Sequence, residues 1–353
     1  MILSWPLTVR IFSRSVVASS NAFRPADSWL ESHGYDVVSI EPLAGDVSVR
    51  RYSRIRMADG ASVILASYPP EIAEACSRFV RTDALLSSVG VRTPRILTAD
   101  CAGGQMLLED LGERTVYQLE EPTSDTLAAL FQRAVEVIAA LQTIDEAEVA
   151  RLNPTLDAEL LRRELTLTRK ELLEPRRMTD GGALDAELST ALDRLCAALG
   201  AGAPVVCHRD FMVRNLVPLG DDLAVLDHQD LRLGPAFYDL ASLLNDSLFL
   251  DPESERRLLA SCLQSDSDRL AFHRAAAQRT LKAAGSYARF SNRGFATHEH
   301  LIAPTLRRCL RHLERLPETG SVCSRLRQAW EAVIGEPSAR LEEADRPVTD
   351  EEL

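Results

Sequence analysis

A chain of 353 residues with 46% hydrophobic side chains is long enough to bury one large core or two medium ones. Its formal charge of −12 argues against a nucleic-acid partner, which requires a basic footprint, and no apolar run reaches the roughly 18 residues of a membrane span. Its 7 cysteines, odd in number and without Cys-x-x-Cys spacing, point to a reducing compartment and to no structural zinc.

In chain order, residues 1–20 carry Arg10 and Arg14 but no acid, and Pro6 and the arginines interrupt any apolar core. They read as an N-terminal extension rather than a secretory signal, with a transit-like leader as the alternative. Residues 25–33 form a short predicted helix stopped at Gly34. Residues 37–43 are strand-like, followed by the tight turn Gly45-Asp46-Val47-Ser48 and by strands over 49–55 and 63–67. Between 71 and 89 Ile72, Cys76, Phe79 and Leu86 recur at helical spacing, and Gly90 ends the segment. A hairpin over 95–99 and 105–109 turns on Gly103-Gly104. The pattern then becomes helical: Leu127, Leu130, Phe131, Ala134, Ile138 and Leu141 share one face, and Leu184, Leu188, Leu192, Leu195 and Leu199 share another, both read as core. Residues 171–183 are expected to be a loop, residues from 245 to about 330 helical, and the polar acidic stretch 336–353 a disordered tail.

Residues 203–240 carry the chemistry. An apolar strand, Pro204 to Cys207, delivers His208, Arg209 and Asp210 into a loop. Asn215 lies five residues beyond Asp210, and a strand-turn-strand follows whose second strand, 223–226, ends on Asp227. A hairpin of this kind gathers Asp210, Asn215 and Asp227. Phosphoryl transfer uses such a set: one carboxylate to orient the acceptor hydroxyl and take its proton, an amide oxygen and a second carboxylate to hold Mg²⁺. His-x-Asp-x-x-x-x-Asn followed by a strand-end Asp is the spacing of kinase catalytic and metal loops.

HRDFMVRN, VLDHQD and GPAFYDLASLLND together resemble the aminoglycoside phosphotransferase-like kinase superfamily. DVSVRRYSRI at 46–55, LLEDLG at 107–112 and QRTLKAAGSYARF at 278–290 extend the resemblance to its anomeric kinases of cell-wall amino sugars. It spans about residues 27–320. The resemblance implies an α+β, bilobal protein-kinase-like fold, with a small antiparallel-sheet lobe over 21–111 and a mostly helical lobe over 112–335. It implies ATP as donor, Mg²⁺ as cofactor and a small amino sugar, N-acetylmuramate or N-acetylglucosamine, as acceptor, in a cytoplasmic monomer of peptidoglycan recycling.

The same resemblance distributes roles. Asp210 is the catalytic base, and Asn215 and Asp227 are the metal ligands. His208 and Asp239 brace the catalytic loop. Gly45, Asp46, Ser48 and one of Arg50 and Arg51 cover the nucleotide phosphates, since strand alternation turns only one arginine toward them. Glu109 and Leu111 lie at an inter-lobe hinge that reads adenine through the backbone. Arg209, Gln278, Arg279, Lys282 and Arg289 are candidates for the acceptor site, where Gly285 leaves room for a sugar ring. The third strand, VILASYPP, lacks the phosphate-pairing lysine of ordinary kinases. That leaves open which residue replaces it and keeps a nucleotide-binding pseudokinase as an alternative. An aminoglycoside, choline or homoserine-type acceptor is the other alternative.

Overall fold

Residues 62–67 and 105–109 are nearly continuous apolar runs, the mark of strands covered on both faces. In the computed structural model, which describes residues 26–43 and 50–335, they are the central strands of a five-stranded antiparallel sheet. Its strands are β1 (Val37–Pro42), β2 (Arg51–Met57), β3 (Ser62–Ser67), β4 (Ile96–Asp100) and β5 (Gln105–Glu109), in spatial order β1-β2-β3-β5-β4. Val63, Leu65 and Leu107 face Trp29 and Leu30 of the short helix α1 (Ala26–Ser32). Ala66, Met106 and Leu108 on the opposite face pack on Cys76 and Phe79 of α2 (Ala73–Ser88). This helix starts two residues later than the sequence predicts, because Pro69-Pro70 sets a single 3-10 turn, Pro70–Ile72, ahead of it.

The helices that follow are α3 (Ser124–Leu141), α4 (Glu146–Ala150), α5 (Ala158–Thr168), α6 (Ala183–Gly200), α7 (Tyr238–Leu244), α8 (Pro252–Cys262), α9 (Asp266–Asn292), α10 (Ile302–Leu313) and α11 (Gly320–Ile334). Polar side chains cap several of them: Thr123, Asp145, Asp157, Asp251 and Ser265 each accept a backbone N–H of the first turn. The segment expected to be a loop from 171 begins instead as a π-helical turn, Arg169–Leu173, that prolongs α5 and buries Leu172 and Leu173. At the centre stands α9, 27 residues long, packed by α5, α6, α7 and α10. A helix enclosed on so many sides has little solvated face, so its basic residues point into protein rather than into water.

Four short strands form the seam between sheet and helices: β6 (Val205–Cys207), β7 (Leu216–Leu219), β8 (Asp222–Val225) and β9 (Arg232–Gly234). β6 pairs with β9 and β7 with β8, both antiparallel. The backbone N–H of Val225 donates to the carbonyl of Arg92, just after α2, and ties the seam to the sheet lobe. Among the described residues no helix is long and apolar enough to cross a membrane.

Cys76 in α2 and Cys101 in the β4–β5 turn are joined as a disulfide, with Cα atoms 5.3 Å apart. The sequence reading anticipated no such pair, and 25 residues separate the two in the chain. Cys196, Cys207, Cys262, Cys309 and Cys323 are free.

Candidate active site

The loop expected to be catalytic is held by one buried carboxylate. Asp239, in the first turn of α7, accepts the backbone N–H groups of His208 (2.6 Å) and Arg209 (2.9 Å). Burial pushes its pKa up to about 6 even though both bonds favour the ionised form. Arg209 has φ +78°, Phe237 at the N-cap of α7 has φ +62°, and Asp227 has φ +60°. Three non-glycine residues in the left-handed region, all flanking one loop, mark backbone held against its local preference. His208 adds a second tie through its Nε2, 2.9 Å from the carbonyl of Leu226.

The β7–β8 register brings the two metal-ligand candidates together. Leu216 pairs with Val225, and the N–H of Leu226 donates to the carbonyl of Asn215. The second strand stops at Val225, short of its expected end at Asp227. That residue instead leads a 3-10 turn, His228–Asp230. The Asn215 side-chain amide donates to the Asp210 carbonyl at 2.9 Å, which fixes its orientation and turns its oxygen away. Both hydrogen bonds to Asp227, from Arg50 (2.6 Å) and Gln229 (3.0 Å), fall on Oδ1. One amide oxygen and one carboxylate are the hard oxygen donors that Mg²⁺ takes when phosphate and water complete its shell.

Asn215 and Asp227 line a cavity of about 560 Å³ between sheet and helices. Its other walls include Tyr52, Ile64, Phe79, Leu108, Glu109, Leu111 and Gln118. Arg50, at the mouth of β2, also lines it, with its guanidinium 5.9 Å above the Tyr52 ring. Arg51 points the other way and is exposed. The alternation that left the choice open in the sequence is thereby resolved: Arg50 is the arginine on the cavity side. Glu109 and Leu111 also lie on the wall, where the Glu109 carboxylate is held by Arg92 (2.5 Å) and Arg95 (3.2 Å). Gly45, Asp46 and Ser48 lie outside the described residues, as do the expected extension over 1–20 and the tail over 336–353.

Asp210 sits below Asn215 among buried cations. Arg279 Nη2 and Lys282 Nζ, one turn apart on α9, both stand 3.2 Å from its Oδ1. Burial by itself would raise the Asp210 pKa; Lys282, Arg279 and Arg209 outweigh it and hold the carboxyl well below its ordinary range. Burial lowers the pKa of Lys282 against the pull of Asp210. Glu164 of α5 balances the group: it pairs with Arg209 (2.8 Å) and lies 4.0 Å from Lys282.

The acceptor candidates therefore separate. Arg279 and Lys282 meet at Asp210. Arg209 reaches Glu164 and Asp230. Gln278 is fully buried, bonded to the Tyr238 hydroxyl and to Glu164, and is out of reach of any ligand. Arg289 makes no hydrogen bond or ion pair with this group among the described residues. Gly285 does not open a space for a sugar ring: a Cβ there would lie 2.3 Å from Thr168 Oγ1 and 2.6 Å from its Cα. The glycine is where α9 and the end of α5 touch. Arg50 as partner of Asp227, Glu164 as counter-ion, and Ser242, which accepts from Arg279 at 3.0 Å, were not legible in these roles, because each contact joins distant segments.

A five-stranded antiparallel sheet over a helical body, with the catalytic loop and a cavity at their seam, is the bilobal protein-kinase-like fold. Residues 39–274 match the model of the phosphotransferase enzyme family, and the chain belongs to that family. It is similar to the N-acetylmuramate/N-acetylglucosamine kinase of Pseudomonas aeruginosa, 35% identical over 232 residues that cover 65% of each chain. To the protein of the same name from Pseudomonas putida it is 32% identical over 274 residues, 72% of this chain and 77% of that one. The aligned region thus spans just under two thirds of the first relative's length. The fold is shared with the GDP complex of an aminoglycoside 2'-phosphotransferase-IIIa (TM-score 0.57, 14% identity, 81% of this chain and 96% of that one). It is also shared with a Plasmodium vivax ethanolamine kinase (TM-score 0.53, 14% identity, 83% and 87%).

Proposed function

We propose that this protein transfers the γ-phosphoryl group of ATP, with Mg²⁺, to the anomeric hydroxyl of a cell-wall amino sugar, N-acetylmuramate or N-acetylglucosamine, in peptidoglycan recycling in the cytoplasm. The observation that supports the reading is that Asn215 and Asp227 line one cavity between the two lobes while the Asn215 side chain is bonded to the backbone of Asp210. The names of the relatives support the acceptor.

In this reading residues 21–111 cover the nucleotide and residues 112–335 carry the chemistry. Adenine lies along the backbone at Glu109 and Leu111, on the cavity wall. Asn215 and Asp227 hold Mg²⁺, which when bound neutralises phosphate charge. Arg50 leaves Asp227 for the phosphates and takes the place of the lysine that β3 lacks. Asp210 orients the acceptor hydroxyl and receives its proton. Lys282 and Arg279 keep that carboxylate ionised and weakly basic. The anomeric hydroxyl, which the ring oxygen makes more acidic than the other sugar hydroxyls, asks least of such a base. Asp239 and His208 keep the loop in place and take no part in proton transfer.

The test is a panel of amino sugars and aminoglycosides incubated with ATP and Mg²⁺, with products identified by mass spectrometry and the phosphorylated position by NMR. A 1-phosphate of N-acetylmuramate or N-acetylglucosamine is the expected product. Phosphorylation of an aminoglycoside with neither sugar accepted removes this acceptor. Nucleotide binding without turnover of any acceptor makes the protein a pseudokinase.

A further inference from the structure

Arg214 occupies the position between Val213 and the metal-ligand candidate Asn215, on a single 3-10 turn of the catalytic loop. Asn215 lines the nucleotide cavity and Arg214 does not. Its guanidinium lies over two aromatic rings, 4.7 Å from the centroid of Tyr117 and 5.9 Å from that of Tyr287. Tyr117 belongs to the 3-10 turn Val116–Gln118, which packs against the turn that bears Arg214. Tyr117 is 38% exposed, whereas Tyr287, on α9, is buried.

The charge of Arg214 is incompletely used. Its nearest carboxylate, Asp246, is 3.8 Å from Nε, and Nε also reaches the Ser247 hydroxyl at 3.4 Å. Nη2 is buried and has no hydrogen-bond partner among the described residues. An arginine fork with an unpaired buried N–H is an open demand for an acceptor. The other cations around the catalytic aspartate are differently placed: Arg209, Arg279 and Lys282 all lie within 3.2 Å of a carboxylate oxygen of Asp210, Glu164 or Asp230. Arg279 connects the two places. Its Nη2 reaches Asp210, its Nε reaches Ser242, and the negative charge of Asp246 favours its charged form. The Arg214 cradle is thus linked to Asp210 through Arg279, with which it shares Asp246 and Tyr287 as neighbours.

We infer that Arg214 is the residue that reads an anionic group on the acceptor, with the exposed ring of Tyr117 as the apolar wall against which the sugar lies. This deepens the proposed function and rests on its amino-sugar acceptor. A fork that pairs bidentately with a carboxylate distinguishes an acidic sugar from its neutral counterpart. The Tyr117 ring serves both sugars alike, and the two tyrosines hold the guanidinium by cation–π attraction.

The experiment compares kcat/KM for N-acetylmuramate and N-acetylglucosamine in the wild type, Arg214→Gln and Arg214→Lys, at saturating Mg·ATP. In parallel, the thermal midpoint is recorded with and without each sugar, in the absence of nucleotide. Arg214→Gln is expected to lower the ratio of the two specificity constants about 10- to 100-fold, the size of a lost charge-assisted hydrogen bond, and to abolish the midpoint shift caused by N-acetylmuramate. Arg214→Lys, which keeps the charge but not the fork, is expected to fall between. It carries the test by itself if the glutamine variant does not fold. Equal losses for both sugars would make Arg214 a packing residue and overturn the inference. So would a wild type that accepts only the neutral sugar. A wild type that accepts neither sugar would instead fail at the proposed function, and the inference would fall with it.

Discussion

Arg50 Nη2 stands 2.6 Å from Asp227 Oδ1, across the cavity mouth and 177 positions away in the chain. The arginine comes from the sheet lobe and the aspartate from the helical lobe. One cation therefore occupies the carboxylate that a metal ion would claim.

The two roles proposed for Arg50 predict opposite results. If it moves onto the phosphates, Arg50→Met should weaken Mg·ATP by about tenfold or more, as for the loss of a charged hydrogen bond. If it only neutralises Asp227, the same change should tighten Mg·ATP by freeing a ligand. Calorimetry with Mg·ATP, with no acceptor present, decides. Asp227→Ala should weaken Mg·ATP as well, whereas Asp210→Asn should leave it near the wild-type value and lower turnover by about 10²-fold or more, the size of a lost general base.

Lys282 and Arg279 invite a different prediction from the one their sequence suggests. As a basic helix face they would raise KM for an acidic sugar when removed. Both in fact end on Asp210 Oδ1. Lys282→Met is therefore expected to lower kcat for N-acetylmuramate and N-acetylglucosamine to a similar extent, by about 10- to 100-fold through a misplaced carboxylate. Steady-state kinetics on both sugars checks this. A rise in KM confined to the acidic sugar would return Lys282 to substrate binding.

Gly285→Ala should destabilise the fold rather than alter acceptor choice. The added methyl would meet the Thr168 backbone as well as its side chain, so no rotamer change relieves the clash. Overpacking of this kind costs about 1–3 kcal/mol or more. Urea denaturation should show a lower midpoint, with the ratio of sugar specificities unchanged in the protein that remains folded.

Stability should fall in mild acid. His312 on α10 is partly buried; burial, then the neighbouring His273 and arginines, lower its pKa well below the ordinary value of 6.5. Its Nε2 lies 2.9 Å from Asn245 Oδ1 and its Nδ1 3.0 Å from His273 Nδ1. A histidine kept neutral in the fold contributes stability fully above its unfolded pKa, and that contribution is lost as pH falls from there toward the folded value. The slope approaches about 1.4 kcal/mol per pH unit for one such group. Thermal midpoints recorded from pH 7.5 down to 5 should drop, and His312→Gln should flatten that limb. A midpoint independent of pH over this range would mean that His312 titrates normally.

The order of elements and the loop carrying Asp210, Asn215 and Asp227 follow from the chain's local chemistry, while the two-lobe division is implied by the family resemblance that loop carries. Apolar runs of strand length, glycine and proline punctuation, and a fixed spacing between an acid and an amide are all properties of neighbouring residues. Tertiary structure decided what long-range contact controls. It chose Arg50 over Arg51, because only one face of β2 looks into the cavity. It turned Arg279 and Lys282 inward onto Asp210, because α9 is enclosed by four other helices rather than lying on a surface. It gave Gly285 to the close approach of α9 and Thr168, and joined Cys76 to Cys101, which no spacing announced. It set Arg214 between Tyr117 and Tyr287, from segments about 100 and 70 residues away, where the sequence displays only one more arginine before an asparagine. Periodicity tells which side of an element is buried; which partner a buried charge meets depends on how the elements pack against one another.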